Sequence, residues 1–96
     1  MAITKIIGFT DGIYISIKKI TLRRHRYVFN EHLNKWILQT SGHIDLKISE
    51  EIRAKIIELL GKWKPNNDEE GGCLEFTVEN GFVNNAKLTN EPVNCI

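Results

Sequence analysis

The sequence predicts an α+β domain, an antiparallel β-sheet of hairpins in the order ββββ(β)αββ with one amphipathic helix packed on one face. Three observations predict it. Residues 49–63, SEEIRAKIIELLGKW, repeat apolar side chains at helical spacing; shorter stretches on both sides alternate apolar and polar residues; and turn residues separate those stretches. A lone amphipathic helix cannot bury its stripe against itself, so it needs a sheet to cover. Ninety-six residues make one domain, 1–96, with room for a single core.

In chain order, residues 5–9 and 13–17 flank Asp11-Gly12, a hairpin signal. A three-residue loop, Thr10-Asp11-Gly12, pairs Phe9 with Ile13 and Ile7 with Ile15 and keeps the apolar side chains together. The alternation then changes phase. Ile13, Ile15 and Ile17 are odd-numbered whereas Ile20 and Leu22 are even-numbered, so a bulge or bend is expected at Lys18-Lys19.

Residues 22–30 and 35–40 form a second expected hairpin across Glu31-His32-Leu33-Asn34. With Asn30 opposite Lys35, Phe29 meets Trp36 and Tyr27 meets Leu38 on an aromatic face assigned to the core. Val28, Arg26 and Arg24 meet Ile37, Gln39 and Ser41 on a basic, polar face assigned to the outside. Ile44, Leu46 and Ile48 alternate with Asp45 and Lys47, a short strand leading straight into the helix.

The helix carries its stripe at Ile52, Ile56, Leu59, Leu60 and Trp63, widened by Ile57. Ser49 is a good N-cap, and Glu50 and Glu51 place negative charge beside the first-turn amides. Gly61 and Pro65 mark its end. Residues 64–72, KPNNDEEGG, are loop chemistry. Leu74, Phe76 and Val78 then alternate up to Asn80-Gly81, and residues 82–88 return. A three-residue loop, Glu79-Asn80-Gly81, sets Val78 against Phe82 and Leu74 against Ala86. The tail 89–96 has no periodicity, and either lies on the core through Val93 and Ile96 or frays.

Thirteen Lys and Arg against 12 Asp and Glu leave a net charge of +1, which excludes a histone-like basic binder and a disordered acidic tail. The N-terminal residues MAITKIIGFTDG lack the pattern of a signal peptide, and no apolar run reaches the length of a membrane span. A cytoplasmic chain without membrane partners is therefore expected. Cys73 and Cys95 make no CxxC motif and read as two free thiols. The alternative is a disulfide tying the tail to a strand, which needs an oxidising compartment.

No Gly-rich phosphate loop, GxSxG, HExxH or Cys–His set is present, and His25, His32 and His43 lack metal-pair spacing. No enzyme, metal or cofactor is expected. His43 and Asp45 fall on one strand face, where a solvent-facing polar edge is preferred to an acid–base dyad.

The local anomaly is the segment 18–26, KKITLRRHR, five of the 13 cationic residues. It reads first as an edge strand guarded by charge. As a binding element it offers Lys18, Lys19, Arg23, Arg24 and Arg26 to an acidic protein surface, or to a nucleic-acid backbone with strong salt dependence. Asp68, Glu69 and Glu70 supply an acidic patch of matching size, and together the two make a dipolar surface suited to docking.

In size and in its lack of a catalytic set, the chain resembles in general terms the small inhibitor, adaptor and immunity proteins of bacteria, phages and mobile elements, phage-encoded inhibitors of host defence complexes among them. The resemblance implies a non-enzymatic module that docks through charged strands on a larger protein or ribonucleoprotein complex. A small nucleic-acid binder using 18–26 is the alternative, and an exposed edge strand could pair with a second copy of the chain.

Overall fold

Period-two alternation dominates this chain, and eight strands and one helix result among the described residues. The computed structural model describes residues 3–9, 12–23, 26–62 and 73–89, with the backbone alone at Lys62. The elements are β1 (Ile3–Phe9), β2 (Ile13–Ile15), β3 (Lys19–Leu22), β4 (Arg26–Asn30), β5 (Lys35–Gln39), β6 (Ile44–Lys47), α1 (Glu50–Lys62), β7 (Cys73–Glu79) and β8 (Phe82–Thr89). The architecture is α+β. Trp63, the loop 64–72, the tail beyond Thr89 and Asp11 of the first expected turn lie outside the described residues.

Six strands precede the helix because residues 13–22 make two strands rather than one bent one. Ser16 donates to the Lys19 carbonyl from both its amide (2.9 Å) and its hydroxyl (3.0 Å), and the chain reverses at Ile17-Lys18. Ile13 then lies opposite Leu22 and Ile15 opposite Ile20. Antiparallel pairing across this reversal brings odd and even residues to one face, which accounts for the phase change without a bulge.

The hairpin expected between residues 5–9 and 13–17 is therefore not formed. β1 sits inside the sheet, paired along its whole length with β7 and at three positions with β4. Its sequence carries the reason: Ile6 and Ile7 are neighbours and both buried, one on each face, as a central strand requires.

The strand order is β2-β3-β6-β8-β7-β1-β4-β5. All neighbours are antiparallel except β6 and β8, which meet in parallel at Lys47 opposite Phe82. β7 and β8 turn through Asn80 (φ 55) and Gly81 (φ 78), a two-residue turn that needs positive φ at both positions, in place of the three-residue loop expected. Val78 accordingly faces Val83, not Phe82. A bulge between Thr77 and Val78 then sets Phe76 against Ala86 and Leu74 against Leu88, so Val83 and Ala86 both stay buried.

The β4–β5 register is the expected one, Asn30 opposite Lys35, Phe29 opposite Trp36 and Tyr27 opposite Leu38. Its faces are reversed. Val28 pairs with Ile6 and Arg26 with Gly8, and Ile6 and Gly8 pair in turn with Phe76 and Leu74, so Val28 and Arg26 lie on the core side. Phe9, Tyr27, Phe29 and Trp36 occupy the other face as two edge-to-face pairs, with ring centroids 6.0 and 5.2 Å apart. Arg26 can lie on the core side because its long stem carries the guanidinium to the rim, where Nη1 donates to the carbonyls of Arg23 (3.1 Å) and Gly42 (3.2 Å).

The helix behaves as its sequence dictates at its start: Ser49 Oγ accepts from the Ile52 amide at 3.1 Å. Ile56 is fully buried, and Ile52, Leu59 and Leu60 pack beside it. Ile57, expected to widen the stripe, is exposed. The sheet curls enough that Ile13 and Leu22 reach Gly8 of β1 across the core, although three strands separate β3 from β1 in the order. A Cβ at Gly8 would stand 3.1 Å from Leu22 Cδ2, so the small residue is what lets the two ends of the sheet close on each other. Cys73 is disulfide-bonded rather than a free thiol, and the chain's only other cysteine is Cys95.

Candidate functional site

Three separate segments meet at the N-terminal end of α1. The Ser16–Lys19 turn is tied to the helix entrance by the Ile48 amide donating to the Lys18 carbonyl (3.0 Å) and by Arg53 Nε donating to the Ser16 carbonyl (3.2 Å). The β7–β8 turn joins them through the Lys47 amide, which donates to the Gly81 carbonyl at 2.9 Å. Between them lies an open groove of about 930 Å³, lined by Ser16, Ile17, Lys18, Lys19, Lys47, Ile48, Ser49, Glu50 and Phe82. Its size falls in the range of recognition pockets.

The groove floor and walls are apolar where neither burial nor turn chemistry asks for it. Ile17 occupies a tight turn, a position favouring Gly, Asn or Asp, and is 70% exposed. Phe82, the first residue after the Asn-Gly turn, is 44% exposed. Ile48 supplies a buried apolar base between them.

Three lysines and one carboxylate, Glu50, form the rim. Lys18 and Lys47 make no ion pair among the described residues, while Lys19 Nζ donates to Asp45 Oδ2 at 3.2 Å with both side chains about half exposed. The Thr21 hydroxyl donates to Asp45 Oδ1 at 2.6 Å. That hydroxyl first, and then the Lys19 ammonium, hold the Asp45 carboxyl below the usual carboxylate range. Asp45 thus makes its hydrogen bonds to Thr21 and Lys19, and His43 adds only a weaker electrostatic pull in the same direction.

Of the cationic residues singled out in the sequence, Lys18 and Lys19 reach this groove, whereas Arg23 and Arg26 do not line it. The segment 18–26 is not one strand: β3 ends at Leu22 and β4 begins at Arg26, remote from β3 in strand order. Arg23 Nη1 donates to the Tyr14 hydroxyl at 3.0 Å, and its guanidinium lies 5.7 Å from that ring's centroid. Arg26 is 5% exposed, which overturns its assignment to a docking surface. Its Nε is buried without a partner, and no carboxylate pairs with it among the described residues. Arg24, Asp68, Glu69 and Glu70 lie outside the described residues.

Ile17, Lys47, Ile48, Glu50 and Phe82 were not singled out in the sequence. An isoleucine at a chain reversal is the one signal that could have marked Ile17. Phe82 and Lys47 meet only through the parallel β6–β8 contact, which no local pattern encodes.

A second, smaller hollow of about 360 Å³ lies on the aromatic face, lined by Ile3, Lys5, Phe29, Glu31, Trp36, Glu75 and Lys87. Among the described residues no group of three His, Cys, Asp or Glu is placed to hold a metal ion, and no helix is long and apolar enough to cross a membrane. Compared with known proteins, the chain matches no family model, no curated protein and no solved structure.

Proposed function

We propose that this chain is a small protein-binding module of the inhibitor or adaptor kind, which docks an acidic segment of a larger protein into the groove at the start of α1. The observation that carries this reading is the pairing of exposed apolar side chains, Ile17 and Phe82, with a rim of Lys18, Lys19 and Lys47. Apolar anchors set in a desolvated floor supply binding energy, and the surrounding charge supplies partner choice and encounter rate. An occupant with one aromatic or aliphatic anchor flanked by carboxylates satisfies both.

The alternative, a nucleic-acid track along residues 18–26, has less support. Its described cations do not share one strand, Arg26 is buried and Arg23 is held on Tyr14. The disulfide at Cys73 likewise favours an oxidising setting over the cytoplasmic one expected from the sequence.

The test is a panel of Asp- and Glu-rich peptides carrying a single Leu or Phe, read by amide chemical shifts. Shifts are expected to concentrate at Ile17, Ile48 and Phe82. The double variant Ile17→Ser, Phe82→Ser is expected to lose at least about tenfold in affinity. Both side chains are exposed, so its melting point should stay within about 2 °C of the parent. Peptides that leave the groove residues unshifted, or that bind equally after Lys18→Glu and Lys47→Glu, would sink the proposal.

A further inference from the structure

The two outer strands of the sheet are treated differently. β2 is three residues long and carries the Arg23 guanidinium over Tyr14, features that blunt an edge against pairing. β5 has five residues and an unbroken register with β4, and among the described residues nothing pairs with its outer side. Its three central residues, Trp36, Ile37 and Leu38, bear no charge, no proline and no bulge. Leu38 is 45% exposed, and Trp36 is held edge-to-face against Phe29. By the usual rules such an edge is open to strand addition.

We infer that β5 pairs antiparallel with β5 of a second copy, about a two-fold axis through Ile37. The sequence KWILQ is complementary to itself in that register. Lys35 falls opposite Gln39 of the other copy, Trp36 opposite Leu38, and Ile37 opposite Ile37. No like charges meet, and each exposed Leu38 gains an aromatic neighbour on the face that already holds Phe29 and Tyr27. A parallel pairing would set Lys35 beside Lys35 and is disfavoured. The interface is isologous and closes on itself, so the product is a dimer rather than a fibre. It uses the sheet edge remote from the groove and does not depend on how the groove is read.

Sedimentation equilibrium on the oxidised full chain tests this. The parent is expected to dimerise reversibly with concentration. Ile37→Lys, which brings two ammonium groups together on the axis, is expected to weaken the dimer by more than about tenfold. Gln39→Lys places a lysine opposite Lys35 on an already exposed position, and is expected to weaken it by about two- to tenfold with an unchanged circular dichroism spectrum. Adding Lys35→Glu to Gln39→Lys is expected to restore the parent value, because opposite charges then face each other twice. A parent that stays monomeric up to about 1 mM overturns the inference. So does a dimer indifferent to Gln39→Lys, or one that the double variant fails to rescue.

Discussion

Lys18 and Arg26 bracket one short basic run, yet the fold treats them as opposites. Lys18 stands exposed at a chain reversal on the rim of an apolar groove, whereas Arg26 is buried on the core side of β4. The cause is the break after Leu22: β3 lies second from one edge of the sheet and β4 second from the other. A run of like charge is therefore not a surface until the strands that carry it are placed. Here Lys18 has no ion-pair partner among the described residues and can meet another molecule, while the strand arginine spends its hydrogen bonds on the Arg23 and Gly42 carbonyls.

The largest expected effect tests the buried half of that contrast. Arg26→Ala removes a buried stem and leaves two carbonyls without their charged donor. It is expected to destabilise the domain by roughly 2–4 kcal/mol in urea unfolding. Arg26→Met keeps most of the volume and removes the unpaired charge, so at least half of that loss should return. Lys18→Ala on the groove rim should stay within about 0.5 kcal/mol of the parent. If Arg26→Ala behaves like Lys18→Ala, Arg26 is not a core residue and the two ends of the run are equivalent after all.

Gly8 offers the next largest effect, because it is where the sheet's two ends press together. An added methyl would meet Leu22 Cδ2 at 3.1 Å, with Phe76 and Ile13 close behind at 3.5 and 3.6 Å. All three neighbours are buried and cannot swing away cheaply. Gly8→Ala is expected to cost about 1–3 kcal/mol, and Leu22→Ala in the same chain should recover part of the strain. A stabilised Gly8→Ala variant would mean that the curl of the sheet is looser than the packing around Leu22 indicates.

Much of this architecture is legible in the residues, and the misreadings share one physical origin. Local chemistry speaks for itself: Ser49 caps the helix, Asn80-Gly81 turns the chain, and the β4–β5 register follows from its loop length. What single stretches cannot express is which strands lie together. The pairing of β1 with β7, and the brief parallel contact of β6 with β8, join residues far apart in the chain. Without them the aromatic face of β4 and β5 looks like the core, although Val28 is the residue packed inward. The candidate site shows the same division. Lys18 and Lys19 stand out in the sequence, but Lys47 does not, and the floor exists only once Phe82 has been carried to Ile17.

The smallest expected effect separates the two turn lysines themselves. Lys19 is shared with Asp45, whose carboxyl is held below its usual range by the Thr21 hydroxyl and then by Lys19, whereas Lys18 has no such partner among the described residues. A carboxyl depressed in the folded state contributes stability above its unfolded value and loses it as pH falls through the lowered one. The difference between the parent and Asp45→Asn should therefore be constant near neutral pH and fade in acid below the usual carboxylate range. Salt should weaken the Lys19 part and spare the Thr21 hydrogen bond, since the pair is half exposed and open to screening. Asp45→Asn also releases Lys19 to the groove, so affinity for an acidic peptide should rise slightly at low salt. Unfolding curves across the acid range, with peptide titrations at two salt concentrations, check both expectations. A stability difference that persists unchanged into strong acid would show that the Asp45 carboxylate charge contributes nothing to this turn.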